Sequence, residues 1–229
     1  TLIVNLIMLL LNFPAPIIFA LILNEVRHKF FKKSIHVVTT FPNFISWAIY
    51  GGIIIALCDQ TTGIMNPILD AFGLSSAEDP VYLMDSQHIW AVIIISSIIK
   101  TVGWGSIIYM AAIASIDAEL YEAAELDGVT RWQKAVYITL PCIAPTITVF
   151  LLLNIGRLLS NSFEQFNSLQ NAVNLSRSEV LATYIYRLSF SSRRYGYATA
   201  IGLFNSMVSL VLLVLSNFIS KKATGRGLF

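Results

Sequence analysis

Five apolar segments, at about residues 1–24, 37–58, 88–114, 141–163 and 196–220, constrain this chain more than anything else in it. Each has roughly the 20 residues that a helix needs to cross a hydrocarbon core. In lipid the backbone must satisfy its own hydrogen bonds, so helices are the economical reading of such runs. The expected fold is an all-α polytopic membrane protein with five spans, a single transmembrane domain over 1–229. Composition agrees, with 56% hydrophobic and only 12% charged residues, where soluble domains carry roughly 25% charged. Pro14 and Pro16 in the first segment and Pro42 in the second predict kinked spans rather than ended ones.

The net charge of +2 is too small to suggest a nucleic-acid partner. Cys58 and Cys142 fall near opposite faces of the membrane and cannot bridge. His28, His36 and His88 are scattered among connections, without metal-ligand spacing.

Basic residues orient the spans. Arg27, Lys29, Lys32 and Lys33 lie in the first connection, Arg131 and Lys134 in the third, and Lys221, Lys222 and Arg226 in the tail. The connection at 59–87 has no Lys or Arg but carries Asp59, Asp70, Glu78, Asp79 and Asp85. The positive-inside rule therefore puts the first set in the cytoplasm. Segment 164–195 is the exception, because parity places Arg177, Arg187, Arg193 and Arg194 outside. The external loops are then 59–87 and 164–195. Residues 63–73 predict a short interfacial helix, and 164–195 predicts a mostly polar loop with a helix near 179–188.

Residues 117–141 form a long polar stretch between two greasy spans. Asp117 is a good N-cap, with Glu119 and Glu122 in the turns that follow, where negative charge suits the helix dipole. Gly128 suits the position just past a helix end, where positive φ is cheap. Thr130 to Gln133 is a capping-box pattern for a second helix, which Leu140-Pro141 closes, with Pro141 in the first turn of the next span. The stretch predicts a helix–glycine–helix elbow with Leu120, Tyr121, Ala123 and Ala124 as its apolar surface. A solvated connector explains the caps equally well. The small Ala pair favours a docking helix, because it lets a partner's groove approach the backbone.

That elbow resembles the EAA loop of ABC-importer permeases: Glu122-Ala123-Ala124, Gly128, Ile138 and Leu140-Pro141 stand at the spacing of that motif, before the penultimate span. The likeness extends over the whole chain, through Pro42, the 63–73 helix, Gly103-Trp104-Gly105-Ser106 and Phe163-Glu164-Gln165. It points to the carbohydrate-uptake group, oligosaccharides above all. The resemblance implies a type I import fold in which two permease subunits, here expected to be non-identical, line a path. A cytoplasmic ATPase dimer would bind the ATP and Mg²⁺, and an external solute-binding protein would deliver the solute. Glu122 and Asp127 would make polar contacts to an ATPase, Ala123 and Ala124 the packed surface, and Gly128 the turn. The family has one more N-terminal span, expected to precede this sequence, which begins with Thr. The protein would reside in the bacterial inner membrane, with the EAA loop and C-terminus cytoplasmic.

No phosphate loop is written in the chain, since Lys33-Ser34 and Lys100-Thr101 lack its glycine. An ATP-driven mechanism therefore expects hydrolysis from a partner, and no catalytic residue or cofactor is expected here. Charged residues within spans are costly, about 2.5–3.5 kcal/mol at a helix centre, so they should face a cavity, a partner or the interface. Arg157, Asn161 and Glu164 recur at helical spacing, with Asn154 and Gln165 beside them. Together with Lys100, Trp104 and Tyr109 they are candidates for the solute path, since sugars need both aromatic faces and hydrogen-bonding groups. The basic pair suggests an acidic saccharide. A structural role is equally open for single residues: Arg157 pairing with Glu164, or Lys100 at a subunit interface. Other readings are a permease for amino acids or peptides, or an ion-coupled transporter, which would need acidic groups inside the spans.

Overall fold

The computed structural model describes residues 1–73, 80–159 and 163–224, and every regular element among them is helical. Among the described residues four stretches are long and apolar enough to cross a membrane: Leu2–Glu25, Ile89–Ala114, Arg131–Gly156 and Tyr195–Lys222. The first joins α1 (Leu2–Asn12) to α2 (Pro14–Glu25), so Pro14 and Pro16 interrupt the hydrogen bonding without ending the span.

Pro42 acts differently. Helix α3 (Lys29–Thr40) gives way to a 3₁₀ turn at Phe41–Phe44, and α4 (Trp47–Leu57) restarts on a Ser46 cap. The two arms meet at 103°. The expected span at 37–58 is therefore not one kinked helix but a broken pair, which makes five spans only if it counts as one. Phe41 keeps a helical backbone, but Pro42 offers no N–H to the carbonyl four residues back and its ring crowds that carbonyl, and Ser46 is a ready start for a new helix.

Chain contacts divide the described residues into two compact units. One comprises Thr1–Ile7, Phe44–Ser97 and Leu159–Val208. Within it α10 (Phe163–Leu169) packs on α4, with Gly51 giving room to Ser168, whose Cβ would stand 2.7 Å from an added Cβ. Buried polar groups satisfy carbonyls of the long helix α6 (Ile89–Ala114): the Tyr50 hydroxyl donates to Ser96 O at 3.0 Å, and Gln165 Nε2 to Ile93 O at 2.8 Å. Asn174, wholly buried, donates to Met84 O and Leu169 O and accepts from the Ser178 hydroxyl. The 63–73 helix is present as α5 (Met65–Ala71), stopped by Gly73 at φ +70°. Segment 164–195 is not a mostly polar loop. It folds as α10, α11 (Leu175–Ser178) and α12 (Leu181–Phe190), the last at the place of the helix expected near 179–188, with Phe166, Leu169, Val180 and Leu188 buried. Its hydrophobic residues are spaced for short helices that need a neighbour, and periodicity over so few residues is easily missed.

The second unit comprises Met8–Asn43, Ile98–Leu158 and Ser209–Phe229. Its core gathers Ile17, Ala20, Tyr109, Ile113 and Ile143, with Tyr109 edge-on to Phe150. Gly103 faces the backbone of Thr39 and Thr40 so closely that a Cβ would overlap both, and Gly105 faces Pro16. Glycine here serves close approach of helices. The Ser106 hydroxyl, wholly buried, donates to Gly103 O at 2.7 Å.

Candidate functional site

The elbow forms from its own sequence. Asp117 caps α7 (Ala118–Leu126) by accepting from Glu119 N at 3.1 Å. Gly128 turns the chain at φ +72°, and Thr130 with Gln133 completes a capping box at the start of α8 (Arg131–Lys134). Leu140-Pro141 does not close that second helix. From α8 the chain passes through a π-helical segment, Ala135–Thr139, straight into α9 (Leu140–Gly156). Pro141 cannot bond to the carbonyl four residues back and its ring would strike it. The wider π turn relieves this, with Leu140 N donating to Ala135 O.

Two contacts brace the elbow's arms. The Tyr121 and Thr139 hydroxyls share a hydrogen bond at 2.9 Å, and Lys134 Nζ meets Glu125 Oε1 at 2.5 Å. The first ties α7 to the π segment, where a helix is most easily deformed. The side chains present a different surface from the expected one. Ala124 is only 6% exposed and faces inward, so of the alanine pair only Ala123 is on the surface. Leu126 is 91% exposed, and Trp132 and Tyr137 are also exposed. Glu122, Asp127 and Gly128 are exposed, Ile138 is half-buried, and Leu140 and Pro141 are at the surface. Leu126, Trp132 and Tyr137 escaped the sequence reading. Their signal was large apolar side chains inside a polar stretch, which a cap-based reading passes over.

The Lys134 hydrogen bond and charge, with Arg27 a smaller influence, hold the Glu125 carboxyl below its ordinary range. A lowered carboxylate value stabilises the fold above the unfolded-state pKa and loses that effect as pH falls through the folded one. The brace should therefore be intact at neutral pH and release only on acidification below about pH 4, the ordinary glutamate value. Hydrogen exchange at α7 amides, corrected for the intrinsic rate, should show that loss in the native chain and not in Glu125→Gln. An identical acid response in both would contradict it.

The path candidates do not share one face. Helix α9 ends at Gly156 with Arg157 as its C-cap, so Arg157 lies past the helix end, and the expected span to 163 is shorter. The glycine beside Arg157 lowers helix stability just where the spacing argument assumed continuity. Asn161 lies outside the described residues. Asn154 is exposed, its Nδ2 turned back to Phe150 O at 2.8 Å, and Arg157 is exposed. Trp104, half exposed, belongs with these two in the second unit. Tyr109 is buried in that unit's core, so it packs rather than lines a path. In the other unit Glu164 is exposed while neighbouring Gln165 is buried against α6. Lys100, 4% exposed, donates to Pro42 O at 2.8 Å and Asn43 O at 3.4 Å. It caps carbonyls that the broken helix leaves open.

Residues 2–225 match the family model described as "Binding-protein-dependent transport system inner membrane component". Protein LplB of Bacillus subtilis (strain 168) is 39% identical over 221 residues, covering 96% of this chain and 69% of that one. The polygalacturonan/rhamnogalacturonan transport system permease protein YteP of the same strain is 37% identical over 217 residues, 95% of this chain and 67% of the relative. Among solved structures, a bacterial alginate ABC transporter in complex with alginate pentasaccharide-bound periplasmic protein superposes with a TM-score of 0.92 at 40% identity. The match covers 99% of this chain and 78% of that one. With its helical spans, its capped polar elbow and a family match over nearly its whole length, the chain belongs to the inner-membrane permease components of binding-protein-dependent ABC transporters.

Proposed function

We propose that the chain lines the path of an ATP-driven importer of oligosaccharides and takes its driving force from ATPase subunits docked on α7. The observation that carries this reading is the exposed face of α7, where Leu126 and Ala123 stand among Glu122 and Asp127 on an arm braced to the next span. Leu126, 91% exposed, stands in an elbow whose Trp132 and Tyr137 are also exposed, and several large apolar side chains at the surface of one short charged elbow suit a partner groove. The Tyr121–Thr139 and Glu125–Lys134 contacts make α7 a lever, so closure of an ATPase dimer would move α9 through the deformable π segment. ATP and Mg²⁺ would act on those partners, with no cofactor held here, and alternating access would follow from the moving spans. Charge parity supports a cytoplasmic elbow and C-terminus.

Relatives named for the transport of polygalacturonan/rhamnogalacturonan and for the import of the acidic polysaccharide alginate support an acidic saccharide as the solute. Trp104, Asn154 and Arg157 remain the candidates for its path. A non-identical second permease and an external binding protein complete the proposed complex.

The test is Ala123→Glu with Leu126→Glu, both at the surface and therefore harmless to the chain's own packing. The variant permease should still accumulate, while its ATPase subunits are lost on purification and oligosaccharide uptake falls by at least tenfold, as expected when a hot spot worth about 2 kcal/mol is removed. Unchanged uptake, or uptake driven by an ion gradient without any ATPase, would overturn the reading.

A further inference from the structure

We propose that the turn carrying Arg193 and Arg194, with the exposed rings of Phe190, Tyr195 and Tyr197 around it, is a face on which an acidic surface of the solute-binding protein docks. This rests on the importer reading and on the outer placement of 164–195. That placement leaves a puzzle, because four arginines there oppose the charge bias of membrane insertion. Two are accounted for internally. Arg187 pairs with Glu179 at 2.7 Å, and Arg177 stacks on Trp90 at 5.5 Å while its carbonyl accepts from the indole at 2.8 Å.

Arg193 and Arg194 have neither an ion pair nor a ring contact among the described residues. Arg193 also holds a left-handed backbone at φ +53°, the position past α12 where glycine or asparagine is usual. Hydrogen bonds from Ser192 N to Arg187 O at 3.2 Å and from Arg194 N to Leu188 O at 2.9 Å keep it there. A strained conformation that presents an unpaired guanidinium suits a binding role better than a packing role. Every residue from Phe190 to Tyr197 is exposed. An exposed surface of Arg, Tyr and Phe has the composition of a protein interface. Its charge calls for carboxylates opposite.

The experiment uses the whole complex in lipid nanodiscs, with the saccharide-loaded binding protein that stimulates its ATPase. R193E/R194E should leave basal ATPase unchanged and raise the binding-protein concentration for half-maximal stimulation by about tenfold or more. R193K/R194K should stay close to the native value. Raising salt from about 50 to 300 mM should weaken stimulation in the native complex and much less in R193E/R194E. An unchanged half-maximal concentration in R193E/R194E would overturn the proposal and leave the arginines to lipid headgroups. Intact docking with weakened uptake of the delivered saccharide would overturn it in favour of a saccharide contact. A native complex that no solute-binding protein stimulates would defeat the importer reading itself, a result read before any variant is made.

Discussion

Gly103→Ala is expected to lower the thermal stability of the folded membrane protein severely. A Cβ at 103 would overlap the carbonyl carbon and oxygen of Thr39 and the nitrogen of Thr40, all backbone atoms. Overpacking costs about 1–3 kcal/mol where neighbouring side chains can shift. Backbone next to a helix break has less freedom, so the cost should reach the top of that range or pass it. Against a net stability of roughly 5–15 kcal/mol, that is a large fraction. Two other glycines make the argument quantitative. At Gly105 the added Cβ would stand 3.0 Å from Pro16 Cγ, a tight contact with a side chain, so Gly105→Ala should be milder. At Gly52 nothing lies within 4 Å, and alanine there should be neutral or slightly stabilising through helix propensity. Thermal denaturation of the detergent-purified complexes should rank the three as 103, then 105, then 52. Equal losses at 103 and 52 would show that α6 does not approach α3 this closely.

Lys100→Glu should be the other severe substitution, and far worse than Lys100→Met. The native ammonium donates to the carbonyls of Pro42 and Asn43 from a buried position. Methionine removes those donors, which costs roughly 1–3 kcal/mol for each carbonyl left unsatisfied. It also removes a buried charge, and the relief on insertion is about 2.5–3.5 kcal/mol. The two effects are of similar size and opposite sign, so Lys100→Met should lose little stability overall. Glutamate keeps the cost of a charge, or of a neutral acid with a single donor, and sets carboxyl oxygens against carbonyl oxygens. The expected result is loss of the folded complex in Lys100→Glu, with a stable Lys100→Met whose 41–46 segment becomes more open to protease. Comparable stability in the two variants would mean that the ammonium is not aimed at the break.

Both cases show why parts of the fold were legible beforehand and others were not. Spans follow from apolar runs of sufficient length, and the elbow follows from caps that act within a few residues: Asp117 on Glu119, Thr130 on Gln133, Gly128 on itself. Such signals are local, so a sequence reports them directly. Proline is less transparent. The same residue bends the first span gently at positions 14 and 16, breaks the second at 42, and at 141 is absorbed by a π turn. Which outcome occurs depends on the donors and neighbours available to the freed carbonyls, and those come from elsewhere in the chain. Lys100 for Pro42 is the example, 58 residues away. Side-chain direction was equally hidden: spacing grouped Ala123 with Ala124 and Arg157 with Glu164, yet one alanine turned inward and Gly156 ended the helix.

The sequence alone therefore determined that this is a helical membrane chain, where its polar elbow lies and how that elbow is capped, and from Glu122 to Pro141 it carries the residues by which it resembles its family. Tertiary structure decided which faces are available: Leu126 and Trp132 outward, Ala124 and Tyr109 inward, Lys100 committed to a broken helix, Arg193 and Arg194 exposed with no ion pair among the described residues. The division has one physical cause. Insertion, capping and turn chemistry act over a few residues or over the mean hydropathy of a run. Burial and charge pairing depend on which distant segments meet, and neither composition nor periodicity encodes that meeting.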